Sequence, residues 1–180
     1  SGGELAAFAV SADTLVYRKG VQAETDRVLV WIDRTGKTGN PIAGMIQPPT
    51  GPVIRLSPDN KQVVFSTPVD GSQDDIWTYD VERNIRLRLT NDPGVDHAPV
   101  WSPDGSRVVF DSHRGGRGSV LYETRSNGAV AERAILDMEG SDFIAASDWS
   151  RDGRFLVFHK SPAGAPPWSL WVWPLAGDSQ

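Results

Sequence analysis

The sequence predicts an all-β protein, a β-propeller of four blades or part of a larger propeller, in which each blade is a four-stranded antiparallel meander. Three observations lead to this fold class. A short turn motif recurs about every 45 residues, an aromatic residue follows it at a fixed distance, and no stretch has the apolar periodicity of a substantial helix. A repeat of this length corresponds to one propeller blade.

The turn motif occurs in three clear copies and one degenerate copy. The clear copies are Ser57-Pro58-Asp59-Asn60, Ser102-Pro103-Asp104-Gly105 and Ser150-Arg151-Asp152-Gly153, and the degenerate one is Ser11-Ala12-Asp13. Successive serines are 46, 45 and 48 residues apart. Proline fixes φ at the first corner of such a turn, aspartate accepts a backbone N–H, and glycine adopts φ > 0. These residues are therefore predicted to be structural.

An aromatic residue stands eight positions after each of the three clear serines, at Phe65, Phe110 and Phe158. Two of the same serines are directly preceded by Trp101 and Trp149. Short β-branched segments surround the phenylalanines, as is typical of buried strands. We therefore expect all five aromatic side chains to lie in the core.

The repeat also predicts the boundaries of the blades. They run approximately over residues 1–46, 47–92, 93–139 and 140–180, and the last copy lacks its fourth strand. Loops between the second and third strands differ most in length and composition among the copies. Such loops carry specificity more often than strands do.

Seven tryptophans are present, and most of them follow the repeat. Trp77 and Trp171 occupy equivalent positions, as do Trp101 and Trp149, and all four are predicted to pack between blades. Trp168 stands outside the pattern in a proline-rich loop. Because aromatic residues dominate interface hot spots, Trp168 is a candidate contact residue, although packing on its own blade is the alternative.

Composition excludes several classes of function. The net charge is −5, and no run of lysine and arginine exceeds two residues, so a nucleic-acid partner is not expected. There are no cysteines, which excludes disulfides and thiol chemistry. No apolar run reaches 18 residues, so direct membrane insertion is not expected either.

The best candidate polar site is Asp96-His97, which directly precedes a first strand, the strand that lines the central channel of a propeller. A satisfied hydrogen-bonding pair is the structural alternative for these two residues. His113 and His159, the other histidines, are predicted to be surface residues. No Gly-x-Ser-x-Gly motif is present, and neither catalytic residues nor a cofactor are predicted.

Two further motifs resemble ligand sites. Asp70, Ser72 and Asp74 alternate oxygen ligands as a calcium loop does, but the later bidentate glutamate is missing, so a solvated hairpin loop is favoured and no metal is predicted. Gly36-Lys37-Thr38 lacks the glycine of a phosphate-binding loop, because that position is Trp31. A β-turn is predicted there instead.

The chain resembles the TolB-like β-propeller repeat in its turns and strands. The resemblance rests on the run from Ala98 to Phe110, on Leu121-Tyr122, and on third strands such as Asp75–Asp80 and Ser169–Val172. The chain is also similar to the propeller modules of bacterial transmembrane serine/threonine kinases. The resemblance implies a non-catalytic domain in the bacterial periplasm or elsewhere on the extracytoplasmic side of the membrane, although the cytoplasm is also compatible with the sequence.

The resemblance favours a scaffold for protein interaction or sensing, with protein partners. Two alternatives stay open: the accessory propeller of a prolyl-oligopeptidase-like hydrolase, and a propeller that binds a small ligand or sugar. Because the outer faces of the first and last blades of an open four-blade arc would be apolar and exposed, we also expect self-association into a dimer through the terminal blades.

Overall fold

The structure is a computed structural model, and it describes residues 8–10, 15–19, 28–41, 53–68, 73–116, 118–138, 142–162 and 166–175. In these residues the regular elements are fifteen β-strands. They are β1 (Phe8–Val10), β2 (Leu15–Lys19), β3 (Val28–Ile32), β4 (Thr38–Pro41), β5 (Ile54–Leu56), β6 (Gln62–Pro68), β7 (Asp74–Asp80), β8 (Ile85–Arg88), β9 (Asp96–Trp101), β10 (Arg107–Ser112), β11 (Val120–Arg125), β12 (Arg133–Leu136), β13 (Phe143–Trp149), β14 (Phe155–Ser161) and β15 (Ser169–Pro174). None of the described residues belongs to a helix that could span a membrane.

The strands form four sheets, each an antiparallel meander in chain order. Three sheets have four strands, β1–β4, β5–β8 and β9–β12, and the fourth consists of β13, β14 and β15. The first strands of successive sheets lie against one another, β1 with β5, β5 with β9, and β9 with β13. Among the described residues no comparable packing joins β13 back to β1. The predicted all-β propeller architecture is confirmed, with the four blades arranged as an arc.

The recurring turn has the same geometry in all three described copies. In the third blade, the Ser102 hydroxyl donates to Asp104 Oδ1 at 2.6 Å and accepts the N–H of Arg107 at 2.9 Å. Asp104 Oδ1 also accepts the N–H of Ser106 at 3.0 Å, and Gly105 adopts φ +70°. The same bonds recur around Ser57 and Ser150. The prediction that the aspartate accepts a backbone N–H is confirmed. The hydrogen bonds of the serine hydroxyl to the aspartate and to the N–H five residues later were not predicted.

These hydrogen bonds make one stability contribution depend on pH. The Ser102 hydroxyl and the Ser106 N–H hold the pKa of Asp104 at about 2, below its ordinary value of 3.8. A carboxylate with a lowered folded-state pKa contributes stability that is complete above about pH 4 and is lost as the pH falls towards 2. We expect Asp104→Asn to be less stable than the wild type at neutral pH, and the difference to shrink between pH 4 and pH 2.

Urea denaturation between pH 2 and pH 7 measures this effect. Asp137→Asn removes the same charge from an exposed position and serves as the control. A stability difference between Asp104→Asn and the wild type that stays constant over the whole range would contradict the assignment.

The core lies between the blades. Alternate side chains of a strand point to opposite faces of its sheet, so each blade has one face towards the preceding blade and one towards the following blade. At the second–third interface, residues of both sheets interleave: Val64, Ile76 and Leu89 from the second blade, and Trp101, Val108 and Phe110 from the third. Trp101 Nε1 also donates to the Arg55 carbonyl across this interface at 3.1 Å.

The predicted aromatic core is confirmed, with one correction. Phe65, Phe110, Phe158, Trp101 and Trp149 are all buried. Trp171, however, is 43% exposed, so the prediction that it lies in the core between blades is wrong. It stacks on Phe158 at 6.3 Å and lies beneath Lys160 at 5.2 Å, but β15 is the last strand of its sheet in the described residues. Its outer side therefore remains open.

Candidate functional site

Polar side chains gather at one end of the third blade, where β9 begins and β10 ends. The strand register places Asp96 opposite Ser112 and His97 opposite Asp111. Between His97 and Val100 the register shifts by one residue, and Ala98 adopts φ +46° at this bulge. Because a bulge re-aims the side chains beside it, the local backbone of β9 sets the direction of His97.

Asp96 is completely buried in a network of hydrogen bonds. Its carboxylate accepts two bonds from Arg114, at 3.2 and 3.3 Å, and further bonds from Ser112 and Thr90. Burial raises the pKa of Asp96, although all of these donors act in the opposite direction. Arg114 also donates to Glu132. Asp96 is thus a satisfied internal group that ties β9 to the β10–β11 connection, which is the structural alternative considered above.

His97 links the third blade to the second. Its Nε2 lies 3.0 Å from Oδ2 of Asp74, the first residue of β7, and the Asp74 side chain is buried. The His97 side chain itself is 37% exposed. Asp74 therefore serves as the partner of His97. Asp70 and Ser72, the other oxygen-bearing residues of the calcium-like motif, lie outside the described residues.

His113 belongs to the same cluster, which corrects the expectation that it is a surface residue. Its side chain is 28% exposed, and its Nε2 lies 3.2 Å from Oδ2 of the buried Asp111. Its ring packs edge-on against His97, at 5.9 Å between centroids, and against Phe143 at 5.0 Å. The closeness of Asp111 to His97 could have been predicted from the sequence, because the turn at Ser102 sets the register between β9 and β10.

The remaining candidates lie on the fourth blade. Trp168 is 53% exposed on the connection between β14 and β15, and its role as a contact residue stays a prediction. His159 is exposed, as predicted, and its Nδ1 lies 2.6 Å from the Ser147 hydroxyl. A serine–histidine pair needs a third group that orients the imidazole before it can act as a nucleophile and base. Among the described residues, no carboxylate contacts the His159 ring.

Four antiparallel meanders placed side by side through their first strands define the class of this protein as a β-propeller. The model of the PD40 family, described as a TolB β-propeller domain, matches residues 42–167. The chain belongs to this family.

Comparison with individual proteins gives the same result. An uncharacterized protein of Agrobacterium fabrum is 32% identical over 111 residues, which cover 60% of this chain and 31% of that protein. The Tol-Pal system protein TolB of Helicobacter pylori is 28% identical over 94 residues, 52% of this chain and 22% of TolB. The crystal structure of TolB from Acinetobacter baumannii superposes with a TM-score of 0.74 at 26% identity, covering 94% of this chain and 40% of that one. The matched part of the chain thus covers less than a third of the length of the Agrobacterium fabrum protein and of Helicobacter pylori TolB.

Proposed function

We propose that this chain is a non-enzymatic protein-binding scaffold that assembles into a larger TolB-like propeller on the extracytoplasmic side of a bacterial cell. The observation that carries the proposal is the exposed apolar face of the last blade. The similarity to the Tol-Pal system protein TolB of Helicobacter pylori supports the placement on the extracytoplasmic side.

One face of each blade points towards the following blade. In the second and third blades, this face is buried by the next blade, as Ile76 and Leu121 show with 0% exposure each. In the fourth blade, the register places Leu170 at the equivalent position and Val172 two residues further on the same face. These two side chains are 68% and 64% exposed. The fourth blade therefore presents, uncovered, the same face that its neighbours use for packing.

The occupant we propose for this face is a second copy of the chain. The contact would continue the blade-to-blade packing that joins the four blades within one chain, with the last blade of one copy against the first blade of the other. Two such contacts related by a twofold axis close a ring without adding a new type of interface. Burial of exposed leucine and valine side chains stabilises such an association by about 1.5–3 kcal/mol each.

We expect the chain to form dimers of two 19.6 kDa subunits at micromolar concentration. Leu170→Asp together with Val172→Asp should convert the dimer into a monomer, because two buried carboxylates without partners oppose the contact. Light scattering coupled to size exclusion measures the mass. Ile85→Asp serves as the control, since Ile85 is also exposed, at 57%, but lies on the second blade.

A monomer at all concentrations up to about 100 µM would contradict self-association, while a dimer that survives the double substitution would contradict this face as the interface. The scaffold function has a separate test. Hydrolysis of peptide or ester substrates by this chain, abolished by His97→Ala or His159→Ala, would contradict the non-enzymatic assignment.

A further inference from the structure

Two imidazoles and one carboxylate converge at the end of the third blade. One ligating atom from each of His97, Asp111 and His113 lies within 4.8 Å of the other two. The side chains come from different parts of the sheet, since His97 belongs to β9, Asp111 to β10 and His113 to the loop after β10. Strand pairing therefore holds two of the three ligands at a fixed separation.

The spacing suits a single metal ion. Two ligands bound to one ion at about 2.0–2.2 Å are separated by about 3.4 Å in tetrahedral geometry. The distance of 3.2 Å between His113 Nε2 and Asp111 Oδ2 is already close to this value. The ligating atom of His97 lies within 4.8 Å of the other two and would complete the set.

The Asp111 carboxylate gives a second, independent indication of a ligand. Asp111 is only 3% exposed, and its Oδ1 is a buried oxygen without any hydrogen-bond partner. A buried carboxylate is costly unless it is paired or coordinates a metal. The contact between Oδ2 and His113 compensates only one of its two oxygens. A cation bound by both oxygens of this carboxylate would supply the missing interaction at Oδ1.

His97 has the outer partner that metal-binding histidines usually have. Metal ligands of this type almost always donate their other ring N–H to a carboxylate or carbonyl, which fixes the tautomer and the ring orientation. The Nε2 of His97 lies 3.0 Å from the buried Asp74 Oδ2, so that donation to Asp74 leaves Nδ1 with its lone pair. Asp74 would thus be a positioning residue for His97.

The positive charge of Arg114, next to the cluster, is paired with carboxylates other than Asp111. Arg114 follows His113 directly in sequence, but its guanidinium donates to Asp96 and Glu132 and lies 3.7 Å from Asp92. It also lies over the Tyr122 ring at 4.1 Å. Three carboxylates therefore compensate this arginine, and Asp111 is not needed for that purpose.

From this geometry we propose that His97, Asp111 and His113 form a binding site for one divalent transition-metal ion of the zinc type, oriented through Asp74. Imidazole nitrogens together with a carboxylate oxygen favour zinc and its neighbours over the hard cations calcium and magnesium, which prefer oxygen ligands alone. Three protein ligands leave a fourth position for water or for a group of a partner protein. This proposal departs from the prediction, made from the sequence, that no metal is bound.

The test is titration of the 180-residue chain with Zn²⁺, followed by isothermal calorimetry and by competition with a chromophoric chelator. We expect one ion per chain. His113→Ala and Asp111→Asn should each weaken binding at least about 10-fold, and Asp74→Asn by about 10- to 100-fold, as is usual for an outer partner of a metal-binding histidine. His159→Ala removes the only other histidine and should leave the affinity unchanged. Titration with Co²⁺ should give visible absorption bands that disappear in His113→Ala.

Thermal unfolding of each variant without metal separates loss of the site from loss of the fold. A folded wild-type chain that binds no stoichiometric Zn²⁺ would overturn the proposal. Binding that survives His97→Ala and His113→Ala, or that is lost in His159→Ala, would overturn it as well. In those cases Asp111 and His113 form a simple hydrogen-bonded pair.

Discussion

Replacing Phe110 with alanine is expected to destabilise the protein by about 3–5 kcal/mol, the range typical of a buried phenylalanine that leaves a cavity. Phe110 has no exposed surface, and it packs between the second and third blades against Val64 and Ile76. Its ring also stacks on Tyr122, with 6.1 Å between centroids. Because strands from both blades meet around this side chain, the cavity cannot collapse without moving one blade against the other.

Urea denaturation of Phe110→Ala beside the wild type measures the loss. Phe155→Ala makes the same chemical change at a half-buried position at the start of β14 and should cost much less. If Phe110→Ala does not fold, Phe110→Leu keeps most of the volume and still allows the comparison. A loss below about 1 kcal/mol for Phe110→Ala would show that this interface does not hold the blades together.

Replacing Asp96 with alanine is expected to cost about 3 kcal/mol, because it removes one partner of a buried ion pair and the acceptor of the Ser112 hydroxyl. Asp96 is completely buried, and it accepts two hydrogen bonds from Arg114. Asp142→Ala is the matched control. Its ion pair with Lys160, at 2.9 Å, is partly exposed and should contribute only about 0–1 kcal/mol. Equal losses for the two variants would contradict a special role of Asp96.

The pH dependence gives a second check on Asp96. Burial raises the folded-state pKa of Asp96 above its ordinary value of 3.8, so the ionised form costs stability at neutral pH. As the pH falls through the folded-state pKa towards 3.8, protonation relieves this cost. The wild type should therefore gain stability relative to Asp96→Asn over that interval. A relative loss on acidification would mean that the hydrogen bonds outweigh the burial.

The turns and the buried aromatic residues of this chain could be predicted because the same short sequence pattern recurs in three blades. Ser57, Ser102 and Ser150 each start the same turn, and the aspartate two residues later uses contacts within five residues of the chain. Phe65, Phe110 and Phe158 are buried because the turn sets the register of the hairpin that carries them. Features of this kind depend on nearby residues alone, so they can be predicted without the neighbouring blades.

The candidate site could be predicted only in part. Asp96 and His97 are predictable because they stand at the start of a first strand, but their partners come from other elements. His97 meets Asp74 from the second blade, 23 residues earlier in the chain, and His113 turns back towards Asp111. A loop histidine carries no sequence signal of this kind, because its direction depends on the loop and on Phe143 of the next blade.

By itself, the sequence determined the β-propeller class, the period and register of the blades, and the aromatic core, since all of these follow from local turn chemistry and from alternation along strands. Only the tertiary structure decided which faces are covered. Leu170 is open where Leu121 is buried, because no described blade follows the fourth. Trp171, on the opposite face beside Phe158, is 43% exposed because β15 is the last strand of its sheet in the described residues. The physical reason is that a strand specifies which side chains share a face, whereas burial depends on the neighbour that packs against that face.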